Sequence, residues 1–159
     1  MADAAVEVRP ARVDEAEAVL RCYEWLFEPP GARPATWNPD WARIALVDAI
    51  DSDSATILIA VAADSRAIAG FCSAYLDLLS VRYGLRCWVE DLAVAPDRRS
   101  RGIGGELLAA AREWAASRGA SHLELDSAEM RVDAHRFYER EGGGTRSFSF
   151  GWHGLGGIS

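Results

Sequence analysis

Asp97-Arg98-Arg99-Ser100-Arg101-Gly102-Ile103-Gly104-Gly105 packs three arginines and three glycines into nine positions. Glycine lets a backbone approach a ligand closely, and a helix that starts here offers unpaired N–H groups at its positive end. The chemistry this suits is phosphate binding. Two familiar phosphate loops are excluded. A Walker A loop needs Gly-Lys-Ser/Thr, and the chain has no lysine: all 17 of its cations are arginine. The dinucleotide pattern Gly-x-Gly-x-x-Gly fails because Gly102-Ile103-Gly104 runs on to Leu107. Just upstream, Glu90 and Asp91 interrupt the apolar sequence Trp88-Val89 and Leu92-Ala93-Val94. A carboxylate inside such a strand needs a reason. Either it does acid–base or binding work, or it pairs with an arginine such as Arg86.

The elements around these residues follow from periodicity. Arg86 to Val94 reads as a strand closed by Pro96. Gly104 to Arg118 reads as a helix with the stripe Leu107, Leu108, Ala111, Trp114 and Ala115, and Gly119 stands where a terminating glycine belongs. Upstream, Val6–Arg9 is a short strand. Asp14, with Glu17 three residues on, opens a helix whose face carries Val19, Leu20, Tyr23, Leu26 and Phe27. Pro29 and Pro30 stop it. Glu28 to Asp40 holds four prolines and Trp37, so it is a long loop. Trp41 to Ile50 forms a second helix, then Thr56–Ala62 and Ile68–Leu78 form strands, with a turn at Arg82-Tyr83-Gly84. His122–Asp126 is a strand, and Asp133 caps a helix through Glu141. Thr145–Trp152 alternates weakly as a last strand. The order β-α-α-β-β-β-α-β-α-β predicts an α/β (α+β) mixed sheet, mostly antiparallel, flanked by helices.

Length and composition bound the rest. The 159 residues suit one domain, taken here as 1–159, with roughly 70% of the unfolded surface buried at this size. Half the residues are hydrophobic and the net charge is −7. That balance argues against a nucleic-acid partner and is compatible with a cationic small substrate. Without lysine, Schiff-base and lysine-tethered cofactor chemistry are excluded. Cys22, Cys72 and Cys87 lack disulfide or zinc spacing, so a reduced, cytoplasmic protein without a metal is expected. No secretory signal or membrane-spanning run is read. His122, His135 and His153 are not paired with a serine or acid in a recognisable order, and are read as structural or exposed.

Arg99-Ser100-Arg101-Gly102-Ile103-Gly104 resembles the Arg/Gln-x-x-Gly-x-Gly/Ala signature of the GNAT superfamily of acyl-CoA-dependent N-acyltransferases. Val89-Glu90-Asp91-Leu92-Ala93-Val94-Ala95-Pro96 and Leu107-Leu108 fit the same core motif. Ala134-His135-Arg136-Phe137-Tyr138-Glu139-Arg140-Glu141-Gly142 is similar to the family's Ala-x-x-Phe-Tyr-x-x-x-Gly helix. The likeness runs from about Val6 to Phe150. One departure is Arg131, where the family often has asparagine.

The resemblance implies that backbone N–H groups of Arg99, Ser100, Arg101, Gly102, Ile103, Gly104 and Gly105 cradle the pyrophosphate of acetyl-CoA. It implies that Leu92, Ala93 and Val94 splay from a neighbouring strand to pair with the pantetheine arm, with an oxyanion donor near Leu92. Tyr138 then stands beside the thioester sulfur as acid, and a phenol near pKa 10 matches a leaving thiol. Glu90 is the candidate base, through a water. A bulge in this strand would alter which of Glu90 and Asp91 faces the cleft. Glu-Asp before an apolar pair also resembles the polyamine-acetylating branch. Trp37, Tyr75, Asp77 and Asp91 are expected to line the acceptor site, with Trp41 and Tyr83 as further aromatics, since aromatics beside carboxylates suit a cation. The expected reaction is transfer of an acetyl group to a primary amine of a small molecule by direct attack in a ternary complex, and the resemblance implies a homodimer. Two alternatives stay open: a protein N-terminus or lysine as acceptor, and a non-catalytic acyl-CoA-binding sensor that would not need Glu90 or Tyr138.

Overall fold

A computed structural model describes residues 5–156. The chain divides into two compact units at Leu125/Asp126. The first unit carries strands β1 (Val6–Pro10), β2 (Ala55–Ala62), β3 (Ile68–Ser80), β4 (Gly84–Val94) and β5 (His122–Leu125), with helices α1 (Ala16–Cys22), α2 (Glu24–Phe27), α3 (Pro39–Ile50) and α4 (Ile103–Ser117). The second carries α5 (Val132–Arg140). The strands form one sheet in the order β1-β2-β3-β4-β5. The first four are antiparallel, and β5 runs parallel to β4 after the α4 crossover.

Both faces of the sheet are covered, which is why β2 is apolar throughout and buried at every position. Ile57, Ile59, Val61 and Phe71 face α1 and α3, burying Val19, Cys22, Leu46 and Ala49. Leu58, Ala60, Cys72, Cys87 and Val89 face α4, whose Leu107, Ala111 and Ala115 complete the second layer. The mixed α/β architecture expected from the sequence is therefore present.

Five local expectations change. Residues 145–152 form no strand. Phe148, Phe150 and Trp152 are exposed, because alternation specifies a strand only where a neighbouring edge supplies its hydrogen bonds. The first helix begins as a 3₁₀ turn over Val13–Glu15, and Glu15, not Glu17, folds back to accept the Arg12 N–H at 2.8 Å. Glu17 instead meets Arg43 of α3. The helix then breaks at Tyr23, so α1 and α2 are separate. At α5 the cap position is Arg131, and Asp133 is the second residue of the helix, within its first turn, where an acid still favours the helix dipole. The second helix starts earlier than expected, at Pro39, because Asn38 accepts hydrogen bonds from the N–H groups of Asp40 (2.9 Å) and Trp41 (3.2 Å).

Glu15 is the anchor of the β1–α1 connection. Arg9 donates two hydrogen bonds to it at 2.6 and 2.9 Å. Those bonds hold its carboxyl at about 2, down from 4.5. A depressed carboxyl contributes stability that is complete above its unfolded value and lost as pH falls through its folded one. Glu15→Gln is expected to cost about 1 kcal/mol at pH 7, screened because the pair is partly solvated. That is a drop of roughly 3 °C in Tm. In thermal melts the difference from wild type should close as pH falls from 4.5 towards 2. A difference that persisted at pH 2 would contradict the assignment.

Candidate active site

β4 is paired to β3 along its length, with Ser73 opposite Asp91 and Ala74 opposite Val89. Glu90 has no partner of its own and is the extra residue of a β-bulge. The bulge reverses the alternation: Cys87 and Val89 face α4, whereas Asp91 and Ala93 face α1 and α3. On its other edge, β4 pairs with β5 only from Arg86 to Val89. Among the described residues of the first unit, residues 90–94 therefore keep a strand on one side only, and Leu92, Ala93 and Val94 lie on this splayed stretch.

The flipped Asp91 is half-buried. Tyr23 donates its hydroxyl to Asp91 Oδ2 at 2.8 Å, and Ser73 Oγ stands 3.2 Å from the same oxygen while accepting the Asp91 N–H at 3.0 Å. Among the described residues Oδ1 has no hydrogen-bond partner. Burial raises the Asp91 carboxyl above its ordinary value, with the Tyr23 bond acting against it. Burial also raises the phenols of Tyr23 and Tyr75, and the Asp91 charge adds to both.

An aromatic wall stands around this carboxylate. Tyr23 packs on Phe71 (4.8 Å between ring centres) and Trp37 stacks on Tyr23 (6.0 Å). Trp37 is held in turn by Phe27, edge-on at 4.8 Å. The proline loop that delivers it turns tightly at Gly31, where a Cβ would meet the Leu26 carbonyl oxygen at 1.9 Å, so only glycine fits. Tyr75 lies opposite Trp88 across the β3–β4 ladder, and Trp88 donates its indole N–H to the exposed Glu90 at 2.6 Å. Glu90 and Asp91 both bear electrostatically on Tyr75, so the two carboxylates share this patch.

Of the expected acceptor residues, Tyr75 and Asp91 share a patch, and Trp37 joins it through Tyr23. Asp77 does not: Arg86 binds it at 2.8 and 3.0 Å and reaches Glu124 at 3.2 Å. The arginine that could have neutralised Glu90 is thus engaged elsewhere. Trp41 is exposed on α3, and Tyr83 sits in the β3–β4 turn under Arg82. Tyr23, Ser73 and Trp88 were not singled out as site residues. Tyr23 reads as one more apolar residue on a helical face, and only a 68-residue contact reveals its partner. Ser73 did leave a signal, as the one hydroxyl in the run Phe71-Cys72-Ser73-Ala74.

The glycine-arginine turn follows β4 directly. Pro96–Arg98 is a 3₁₀ turn, Ser100 and Gly102 take φ of +61° and +83°, and α4 begins at Ile103. Gly102 occupies the cap position and supplies no side-chain cap, so the first N–H groups of α4, at Ile103, Gly104 and Gly105, are not capped by it. A phosphate needs such donors. The arginines are partly committed: Arg98 pairs with Asp64 at 3.1 Å, and Arg99 donates to the Val94 carbonyl at 3.2 Å. Ser100 and Arg101 are exposed.

In the second unit, Tyr138 lies on α5 beside Phe137, with ring centres 5.2 Å apart and both residues half-buried. Gly143 N–H closes on the Tyr138 carbonyl at 2.9 Å. The three thiols are buried, and burial pushes Cys22, Cys72 and Cys87 up to about 11, 12 and 11, which makes them inert. One histidine does have a hydroxyl and an acid beside it: Ser121 Oγ lies 2.9 Å from His122 Nδ1, and Glu124 lies 3.5 Å from Nε2. Ser121 Oγ also meets the carbonyls of Tyr83 and Leu85, so the cluster ties the β4 and β5 ends together. Among the described residues no group of three or more His, Cys, Asp or Glu is arranged to hold a metal, and no helix is long and apolar enough to cross a membrane.

The fold is shared with a solved aminoglycoside N-acetyltransferase, AAC(6′)-Iy, in complex with a bisubstrate analogue containing CoA. The TM-score is 0.78 at 17% identity, over 94% of this chain and 97% of that one. Residues 19–143 match the acetyltransferase (GNAT) family, and the chain belongs to it. It is 38% identical over 82 residues to the uncharacterised N-acetyltransferase YhdJ of Bacillus subtilis, covering 52% of this chain and 57% of YhdJ. It is 45% identical over 62 residues to the aminoalkylphosphonate N-acetyltransferase of Salmonella typhimurium, covering 39% and 40%. The chain thus spans about half the length of the curated relatives it matches.

Proposed function

We propose that this protein transfers an acetyl group from acetyl-CoA to a primary amine of a small molecule, by direct attack in a ternary complex. The observation that carries the reading is Asp91: a half-buried carboxylate with one oxygen unbonded among the described residues, beside Tyr23 and Tyr75 with Trp37 stacked on Tyr23, on the splayed stretch of β4. An ammonium group fits it, since charge and aromatic faces both attract a cation. The aminoalkylphosphonate and aminoglycoside acetyltransferases among its relatives have names that point to small amines as well.

The residues fit the donor. The uncapped first turn of α4 at Ile103, Gly104 and Gly105, with Arg99, Ser100, Arg101 and Gly102 before it, would hold the pyrophosphate, and the unpaired edge of Leu92, Ala93 and Val94 would hold the pantetheine arm. Acetyl-CoA, when bound, supplies the acetyl group as an activated thioester. Asp91 anchors the acceptor ammonium, and Trp37 and Tyr75 exclude water from it. Glu90, exposed but oriented by the Trp88 indole, takes the amine proton through a water. A backbone N–H near Leu92 stabilises developing negative charge. Tyr138 gives its phenolic proton to the departing sulfur.

Release of free CoA, followed with a thiol reagent against small amines, aminoglycosides and peptides, tests the reading. Turnover with small amines supports it. Turnover with peptides alone would move the acceptor to protein, and no turnover despite CoA binding would make the protein a binding module. Tyr138→Phe is expected to lower kcat roughly 30-fold with little change in KM for acetyl-CoA. That is below the usual range for an acid catalyst, because a thiolate leaves with little help. An unchanged kcat would remove Tyr138 from the mechanism.

A further inference from the structure

A groove of about 580 Å³ beside β1 and α1 contains none of the residues assigned to acyl transfer. Four arginines converge on it from separate elements: Arg9 from β1, Arg12 from the following turn, Arg21 from α1 and Arg66 from the β2–β3 turn. The acid among its lining residues is Glu15. In a chain with net charge −7, four cations and one acid line this groove, while Asp14, which pairs with Arg12 at 3.4 Å, and Glu7 and Glu17, which act on Arg9 and Arg21, stand outside its lining.

Glu15 does not neutralise the whole group. Its carboxylate is occupied by Arg9 at 2.6 and 2.9 Å and by the Arg12 guanidinium at 3.2 Å. The result is a fixed guanidinium at Arg9, with Arg21 and Arg66 making no salt bridge among the described residues. Trp25 forms one wall. Part of its ring packs towards Phe71 in the core, at 6.4 Å between ring centres, and part lines the groove. Beyond Trp25 a second groove of about 340 Å³ continues past Ala67 and Ile68 to Pro96 and Arg98. The volume falls in the range of small-ligand sites.

We propose that this groove is a second binding site, for a nucleotide, with phosphate on the arginines and the base against Trp25. Planar guanidinium forks match phosphate oxygens two at a time, and a tryptophan face accepts any base. The site is independent of acyl transfer and shares no residue with it.

Calorimetric titration of the whole protein with ADP tests this, using two further proteins. Arg21→Ala/Arg66→Asn removes two exposed charges without touching the core. Asparagine suits position 66, whose φ is +60°. Gly104→Trp alters only the α4 turn. ADP is expected to bind wild type with an affinity that falls as salt rises. The arginine double variant should lose about tenfold or more, as when charge-assisted contacts are removed. Gly104→Trp should retain the site, and adenosine without phosphate should bind more weakly than ADP. Absence of ADP binding overturns the proposal. So does ADP binding that Gly104→Trp abolishes and the arginine substitutions leave intact, which would put the nucleotide at the α4 turn.

Discussion

Gly104→Trp is expected to abolish calorimetric binding of acetyl-CoA, an affinity loss of at least ~100-fold. Gly104 is the second residue of α4, inside the only turn that carries the first N–H groups of that helix. An indole there would stand where a phosphate must approach. Each charge-assisted hydrogen bond is worth about 1.5–3 kcal/mol, so losing two of them suffices for the effect. The fold should survive. The buried stripe of α4, Ile103, Leu107, Leu108, Ala111 and Ala115, is unchanged, and glycine is the poorer helix former. A melting curve no lower than wild type, together with lost binding, is the expected pair of results. Unaltered binding would remove the turn from the site.

The second large effect belongs to Asp91. Asp91→Asn keeps the shape and can keep the hydrogen bond from Tyr23, but it removes the charge that the acceptor ammonium needs. Removing one partner of a desolvated charge pair costs about 2–4 kcal/mol, so kcat/KM for the amine should fall roughly 30- to 1,000-fold. Most of the change should appear in KM for the amine, with binding of acetyl-CoA preserved. Stability should move the other way. Burial raises the Asp91 carboxyl, so the native state holds its proton more tightly than the unfolded chain, and stability falls as pH rises from 3.8 through the raised folded value. Asp91→Asn removes that penalty. Its Tm should equal or exceed wild type at pH 7, and the gain should vanish below pH 3.8. A variant that lost stability at pH 7 and kept its amine KM would show that Asp91 is structural.

These two positions differed in how well the sequence disclosed them. Gly104 lies in a contiguous motif, where a strand, a glycine-rich turn and an amphipathic helix follow one another in the chain. Local sequence dictates such a unit, because turn chemistry and helix periodicity act over a few residues. Asp91 was visible as a misplaced charge, but its direction was not. Strict alternation along β4 would put Glu90 and Asp91 on opposite faces; the bulge at Glu90 decides the face by inserting one residue against β3. Asp77 illustrates the other side. It had the right residue type on the right strand, yet Arg86 claims it across the ladder.

By itself, then, the sequence determined the family, the strand order through β5, the α4 turn and the absence of lysine chemistry. All of these depend on residue identity and short-range spacing. The tertiary structure decided which acid has an aromatic pocket and which is an ion-pair partner. It also decided that residues 145–152 find no strand partner and that four arginines scattered from 9 to 66 share a groove. The physical reason is common to all of these. Burial, desolvation and charge pairing depend on neighbours brought together across the fold, and those neighbours are tens of residues away in the chain.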